Sequence, residues 1–122
     1  MFSDLGIYMG KTYKRVIKIE EKIEIFKALG DRNRLLILEM LSCGELCACD
    51  IMDALDLTQP TISHHMKVLQ QCELVIGRKE GKWMFYAINQ AKVEELQTFI
   101  QKLTSFKEDC ICKGYNKSNT DC

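Results

Sequence analysis

The chain has 122 residues, 47% of them hydrophobic, which fits one compact domain with its own core and excludes wholesale disorder. Its 17 basic and 17 acidic residues cancel, but nucleic acid is not excluded as a partner, because binding depends on the local distribution of charge. From Leu57 to Lys92 the only acids are Glu73 and Glu80. This middle third of the chain is therefore the predicted nucleic-acid face.

The N-terminus and the hydropathy pattern predict a cytoplasmic protein. Residues 1–10 carry Asp4 and lack the basic start and apolar block of a signal peptide. No apolar run approaches the roughly 18 residues that a membrane helix needs, so we expect no membrane partner. Cytosolic thiols stay reduced, and the seven cysteines therefore predict metal or redox chemistry rather than a disulfide framework.

The first third of the chain predicts an arm and three helices. Residues 1–18 are weakly patterned and are expected to form a loosely ordered arm. Apolar residues at helical spacing predict a first helix over about residues 20–29. Asp31 is a suitable N-cap for a second helix, Gly44 suits its C-terminal cap, and a short third helix is expected over about 47–55. The residues that set the spacing of the first helix are Ile19, Ile23, Phe26 and Leu29, and the expected buried stripe of the second is Leu35, Leu38 and Leu41.

A turn at residues 56–58 leads into the fourth predicted helix. Thr58 is expected to cap it, and Pro60 lies in its first turn, where a missing N–H costs nothing. Ile62, Met66 and Leu69 form its predicted inner face. A short helix, a tight turn and a longer capped helix follow one another in the order of a helix-turn-helix.

After Glu73 the pattern predicts a β-hairpin and a last helix. The predicted strands cover 74–78 and 82–88, with a turn at Glu80 and Gly81. Asn89 is expected to cap the last helix, whose wide apolar face suits a dimer interface. Its members are Val93, Leu96, Phe99, Ile100, Leu103 and Phe106. The predicted fold is mainly α with a β-hairpin, a dimeric winged helix-turn-helix over residues 19–106, followed by a cysteine-containing tail, 107–122.

Two groups of polar residues are predicted to contact double-stranded DNA. Those at the fourth helix suit base edges and phosphates, because no acid occurs from Leu57 to Cys72. An ordinary solvated helix face or turn is the alternative for both groups. The first group is Thr58, Gln59, Thr61, Ser63, His64 and Lys67. The second group, at the hairpin tip, is Arg78, Lys79 and Lys82.

Cys47 and Cys49 are the predicted metal ligands, since paired thiolates select soft ions. The alternative is that they are buried as small hydrophobic residues. A helix N-terminus tends to lower a thiol pKa, which favours capture of metal. Two helical residues are about 200° apart around the axis, so joint ligation is expected to unwind the first turn of the third helix.

The remaining cysteines divide into tail and structural residues. Cys110 and Cys112 form a second Cys-x-Cys, which either completes the first site, within a subunit or across a dimer, or forms a separate site, or has no role. Cys43 and Cys72 are each alone and are predicted to be structural.

Three stretches of sequence, with the Cys47–Cys49 pair, resemble the ArsR/SmtB family of metal-responsive winged-helix repressors. The resemblance covers roughly residues 19–106. The pair, in the string ELCACD, is most like the arsenic-sensing branch. The resemblance implies a homodimer whose recognition helices face an inverted-repeat operator one DNA turn apart. The stretches are 26–31 with 34–41, 59–69 and 78–83.

Two departures from the family pattern affect the expected ligand set. Arsenic sensors of the best-known type have a third cysteine three residues after the pair, where this chain has Met52. The last helix has no histidine, so the family's zinc or cobalt site on that helix is absent.

The expected function is a repressor that trivalent arsenic or antimony, or another thiophilic ion, releases from DNA. It requires no cofactor. Sensing of cadmium, lead or zinc and thiol-based redox sensing are the alternatives, and a thiol-metal carrier or interaction module is a third class. An enzyme is not expected, because no nucleotide loop or nucleophile–base pattern occurs.

Overall fold

The computed structural model describes residues 11–106, with side chains from residue 18 onward. Three strands form one antiparallel sheet in the order β1-β3-β2. Predictions for residues 1–10 and for Cys110 and Cys112 lie outside the described residues. The elements are α1 (Lys11–Leu29), α2 (Arg32–Leu41), β1 (Leu46–Cys47), α3 (Ala48–Leu55), α4 (Gln59–Gln71), β2 (Val75–Glu80), β3 (Trp83–Ile88) and α5 (Gln90–Thr104).

Helix α1 differs from its prediction in its start. It begins at Lys11, so the predicted start near residue 20 was wrong and part of segment 1–18 is helical. Ile25 and Ala28 are buried, whereas Ile19 and Phe26 are more than 40% exposed. Leu29 is partly buried against the core, so the residues that set the helical pattern divide between the core and the outer surface.

Helix α2 begins as predicted and buries a different residue. The Asp31 carboxylate accepts a hydrogen bond from the Arg34 N–H at 3.0 Å, which confirms the predicted N-cap. Ile37 is fully buried and Leu41 nearly so, but Leu35 is 51% exposed, contrary to its prediction. The helix is capped at Ser42 rather than Gly44.

Strand β1 was not predicted, and it joins the segment before α3 to the hairpin. Leu46 pairs with Tyr86 and Cys47 with Phe85. Gly44 has φ +134°, a conformation that L side chains rarely adopt, and it turns the chain from α2 into this strand.

The helix-turn-helix prediction is confirmed in its core and its turn. Ile62, Met66 and Leu69 of α4 are buried, in one cluster with Ile51 of α3. Asp56 ends α3 in the left-handed region, at φ 53°. Packing of Ile51 against α4 makes α3 the support of the predicted recognition helix.

The hairpin of β2 and β3, with its turn, is the wing. Glu80 pairs with Trp83, so the turn consists of Gly81, at φ +64°, and Lys82. The hairpin was predicted, although each strand begins one residue later than expected and β2 extends to Glu80.

Helix α5 is capped by Asn89, as predicted, whose side chain accepts from the Lys92 N–H at 3.4 Å. On its predicted apolar face Leu96 is buried, but Phe106 is 90% exposed. The almost fully buried Lys22 of α1 binds Glu95 at 3.3 Å, which joins the two helices. No helix within residues 11–106 is both long and apolar enough to cross a bilayer.

Candidate functional site

Cys47 and Cys49, the thiol pair, lie in contact at the start of α3. Their Sγ atoms are 2.7 Å apart. Cys47 has extended backbone angles, φ −74° and ψ 149°, because it is the N-cap and a strand residue rather than the first helical residue. The expectation that helical geometry separates the two thiols was therefore wrong, and joint ligation does not require the helix to unwind.

The Cys47 residue also closes a capping box at the start of α3. Its sulfur accepts a hydrogen bond from the Cys49 N–H at 3.4 Å, and its own N–H donates to the Asp50 carboxylate at 3.2 Å. The box satisfies two backbone donors that a helix start otherwise leaves unpaired. The Cys47 side chain is buried, whereas Cys49 is exposed.

The acid–base properties of the pair differ from the general expectation for a helix start. The neighbouring Cys47 thiol raises the pKa of the Cys49 thiol, and burial and the Asp50 charge act in the same direction. Cys49 therefore holds its proton more firmly than an isolated exposed thiol would. Ligation by a metal ion must displace this proton.

The thiol pair fits a soft metal ion with two of its ligands. Thiolates at about 2.3 Å from a tetrahedral ion lie about 3.8 Å apart, so the sulfurs must separate by about 1 Å. Among the described residues, no group of three or more His, Cys, Asp or Glu side chains is arranged to hold a metal. A third protein ligand is therefore not supplied by this part of the chain.

Glu45 and Arg78 connect the segment before the thiol pair to the wing. The Arg78 Nε and Nη2 atoms each donate to a Glu45 carboxylate oxygen at 2.8 Å. Arg78 also binds Glu80, and its guanidinium lies 4.8 Å above the Phe85 ring. These carboxylates raise the pKa of Arg78, and Arg78 lowers that of Glu45. A residue predicted to contact phosphate is thus bound to two carboxylates.

The other predicted DNA-contact residues lie on two exposed surfaces. On and before α4, Thr61 is half-buried and the rest are exposed; the Thr58 hydroxyl contacts that of Thr61 at 3.0 Å. In the wing, Lys79 and Lys82 are exposed, and the Lys82 ammonium lies 5.3 Å from the Trp83 ring. The exposed residues at α4 are Thr58, Gln59, Ser63, His64 and Lys67.

A buried polar network fixes α4 against α1 and α2. The Arg34 Nη1 atom lies 3.1 Å from the His65 Nδ1 atom, and its Nε donates to the Ala28 carbonyl at 2.6 Å. Asp31 Oδ2 lies 3.8 Å from the His65 ring. Burial lowers the pKa of His65, and Arg34 and His64 add to this against the opposing charge of Asp31. His65 is therefore a structural residue, whereas its neighbour His64 faces solvent.

We expect the His65→Gln variant to lose the acid sensitivity of the wild-type fold. Because the folded pKa of His65 is depressed, its stabilising contribution is complete above the unfolded pKa of about 6.5 and declines as pH falls below it. Urea unfolding midpoints at pH 7.5, 6.5 and 5.5 measure this. His64 is present in both proteins, so an equal decline in the variant would contradict the assignment.

Sequence patterns missed two features of this site, strand β1 and the Glu45–Arg78 ion pair. Strand β1 has two residues, too few to show a period of two. Glu45 and Arg78 are 33 residues apart, and no local pattern pairs them. The adjacent histidines gave one usable signal, since only His65 continues the inner stripe of α4 at a spacing of three from Ile62.

Three comparisons place the chain among known proteins. Residues 31–76 match the family model described as bacterial regulatory protein, arsR family. An arsenical resistance operon repressor of Staphylococcus aureus is 42% identical over 103 residues, which are 84% of this chain and 97% of that protein. A cadmium resistance transcriptional regulatory protein CadC homolog of the same species is 38% identical over 74 residues, covering 60% and 61% of the two chains.

A solved structure confirms the fold. It is the solution structure of a homodimeric winged helix-turn-helix DNA-binding domain of Mycobacterium bovis, described as a possible ArsR-family regulator. Its TM-score is 0.63 at 28% identity, over 74% of this chain and 83% of that one. The relatives are transcription regulators, which confirms that the chain is not an enzyme. The chain belongs to the arsR family of bacterial regulatory proteins.

Proposed function

We propose that the protein is a homodimeric repressor that leaves its operator when the thiol pair binds trivalent arsenic, trivalent antimony or another thiophilic ion. The observation that carries this proposal is the position of the pair. Two sulfurs in contact lie where β1 ends and α3 begins, so one ligation event acts on an element bonded to the wing and on the support of α4. The arsenical repressor that is 42% identical supports arsenic, and the cadmium regulator supports a divalent alternative.

The thiol pair acts on α4 through α3. A tetrahedral ion would separate the sulfurs by about 1 Å, and because the Cys47 sulfur is also the acceptor that caps α3, its displacement shifts the start of that helix. Ile51, two residues beyond Cys49, is fully buried in the cluster that contains Ile62 of α4. Close-packed cores transmit such shifts rather than absorb them. A coupling of about 1–3 kcal/mol is enough to lower DNA affinity about 5- to 150-fold.

The two exposed surfaces described above supply the proposed DNA contacts. Gln59, Ser63 and His64 at α4 have groups that suit base edges or phosphates in a major groove. Lys67, Lys79 and Lys82 are exposed cations that suit phosphates. Symmetric binding to an inverted repeat requires two copies, and the apolar faces of α1 and α5 are proposed to join them. The homodimeric Mycobacterium bovis domain supports this assembly.

The third ligand is proposed to come from Cys110 or Cys112, in the same subunit or its partner. Within the described residues no third suitable side chain joins the thiol pair. Met52, at the position of the third cysteine in the best-known arsenic sensors, offers a thioether rather than a thiolate. Cys110 and Cys112 lie beyond α5 and provide the soft donors that the pair lacks.

Titration of arsenite into the complex of the reduced protein with operator DNA tests the function. We expect DNA affinity to fall by about 5- to 150-fold at constant salt. The same titration with antimonite, cadmium and zinc ions compares the loss of affinity that each ion causes. If a divalent ion is the inducer, excess chelator should restore DNA binding. Unchanged affinity with every ion would contradict a metal-responsive repressor.

Redox sensing is the second candidate, favoured by the 2.7 Å distance between the two sulfurs. In this reaction the two thiols form a disulfide, lose two protons and two electrons, and reduce one hydrogen peroxide to two water molecules. Release of DNA by peroxide, reversed by a dithiol reagent and without any response to metal ions, would select this candidate over the first.

A further inference from the structure

We propose that Arg78 is a positioning residue that joins the thiol pair to the wing through Glu45, rather than a phosphate contact. The inference rests on the proposed function and adds a route by which ligation reaches DNA. Glu45 lies directly before β1, and Arg78 lies in β2, so their ion pair spans the sheet from one edge strand to the other.

The register of the sheet places the participating residues on one face. Cys47 pairs with Phe85, and Phe85 pairs with Arg78. Directly paired residues of antiparallel strands lie on the same face, so the three form a row across the sheet. The guanidinium of Arg78 lies over the Phe85 ring at 4.8 Å and reaches Glu45 with two hydrogen bonds. A displacement of Cys47 therefore shifts its strand partner Phe85, and with it the Arg78 guanidinium that lies over the Phe85 ring and binds Glu45.

The charge of Arg78 is already satisfied within the protein. Two carboxylates, those of Glu45 and Glu80, bind one guanidinium, so this cluster carries a net charge of one minus rather than a free cation. A phosphate would have to displace a bidentate carboxylate, the geometry in which arginine binds most strongly. Lys79 and Lys82 have no comparable charge partner among the bonds of the described residues and are left as the phosphate contacts of the wing.

The Glu45–Arg78 ion pair is suited to transmit a shift of β1 to β2 rather than to stabilise the fold. The Arg78 side chain is 50% exposed and that of Glu45 37% exposed, and exposed ion pairs contribute little to stability. Two parallel hydrogen bonds nevertheless fix relative orientation. Without them, only the two-residue pairing of β1 with β3 connects the segment before the thiol pair to the wing.

The test compares the arsenite response of Glu45→Gln with that of the wild type, each as the full chain on operator DNA. We expect Glu45→Gln to bind DNA within about fivefold of the wild type, because exposed ion pairs contribute little. Arsenite should bind it normally, as measured by thiol absorbance, but the fold-loss of DNA affinity should shrink at least threefold. The Glu80→Gln variant removes the other carboxylate, which lies within the wing, and should keep the full response.

The charge-neutral double variant Glu45→Gln/Arg78→Gln distinguishes a positioning role of Arg78 from a phosphate contact. Its salt dependence of DNA binding should equal that of the wild type, whereas Lys79→Ala, which removes one cation from each subunit of the dimer, should lower the slope by about two. A drop in the double variant equal to that of Lys79→Ala would identify Arg78 as a phosphate contact and overturn the inference. A full arsenite response in Glu45→Gln would overturn it as well. No response in the wild type would instead contradict the proposed function.

Discussion

The double variant Cys47→Ser/Cys49→Ser is expected to bind operator DNA as the wild type does and to remain bound in arsenite. The wild type should lose about 5- to 150-fold in affinity under the same conditions. Serine is a favourable N-cap, so replacement of Cys47 keeps the start of α3 in place while it removes a soft donor. Fluorescence anisotropy of labelled operator DNA, with and without arsenite, measures both quantities.

The matched control is Cys43→Ser, which removes an exposed free thiol outside the pair. It should respond to arsenite as the wild type does.

The variant Cys110→Ser/Cys112→Ser tests the third ligand. X-ray absorption of its arsenite-loaded form should report two sulfur ligands in place of three. A Cys47→Ser/Cys49→Ser protein that still releases DNA would move the sensor away from the pair.

Replacement of Leu103 by aspartate is expected to yield a monomer with operator affinity lowered about 100-fold or more, because avidity of two linked half-site contacts is lost. Leu103 is 55% exposed on α5, and Ile100 beside it is 41% exposed. Ile19 and Phe26 on α1 extend this exposed apolar area, and Phe26 lies 6.4 Å from Phe99 between ring centres. A carboxylate buried there without a partner opposes association.

Sedimentation velocity measures the oligomeric state, and anisotropy on full and half operators measures the DNA affinity. Gln101→Asp places the same charge on the opposite side of α5, near the same helix end, and should leave the dimer intact. A dimeric Leu103→Asp protein with unaltered operator affinity would show that this face is not the interface.

The sequence predicted the elements that carry strong local signals. Ile62, Met66 and Leu69 recur at helical spacing, and all three are buried; Asp31 and Asn89 have side chains that cap helices, and both do. The buried face of α1 was not predictable from apolar spacing alone. Its pattern contains two apolar faces, and Ile19 and Phe26 belong to the face that leaves this chain's core.

The candidate site was predicted in its residue types and missed in its geometry. The soft chemistry of Cys47 and Cys49 was apparent from sequence, but their contact depends on Cys47 being extended rather than helical. That conformation comes from pairing with Phe85, which lies 38 positions further along the chain, since 85 − 47 = 38. The residues next to Cys47 in the sequence do not reveal this pairing, because it depends on strand β3 of the wing.

The unequal exposure of the two thiols has a kinetic consequence for the proposed function. Cys49 is open to solvent, whereas Cys47 is only 7% exposed beneath it. Capture then proceeds in two steps, with first attachment at Cys49 and ring closure at Cys47. The second step, rather than encounter, sets how long the inducer stays, so small cellular thiols compete readily with the open intermediate and poorly with the closed chelate.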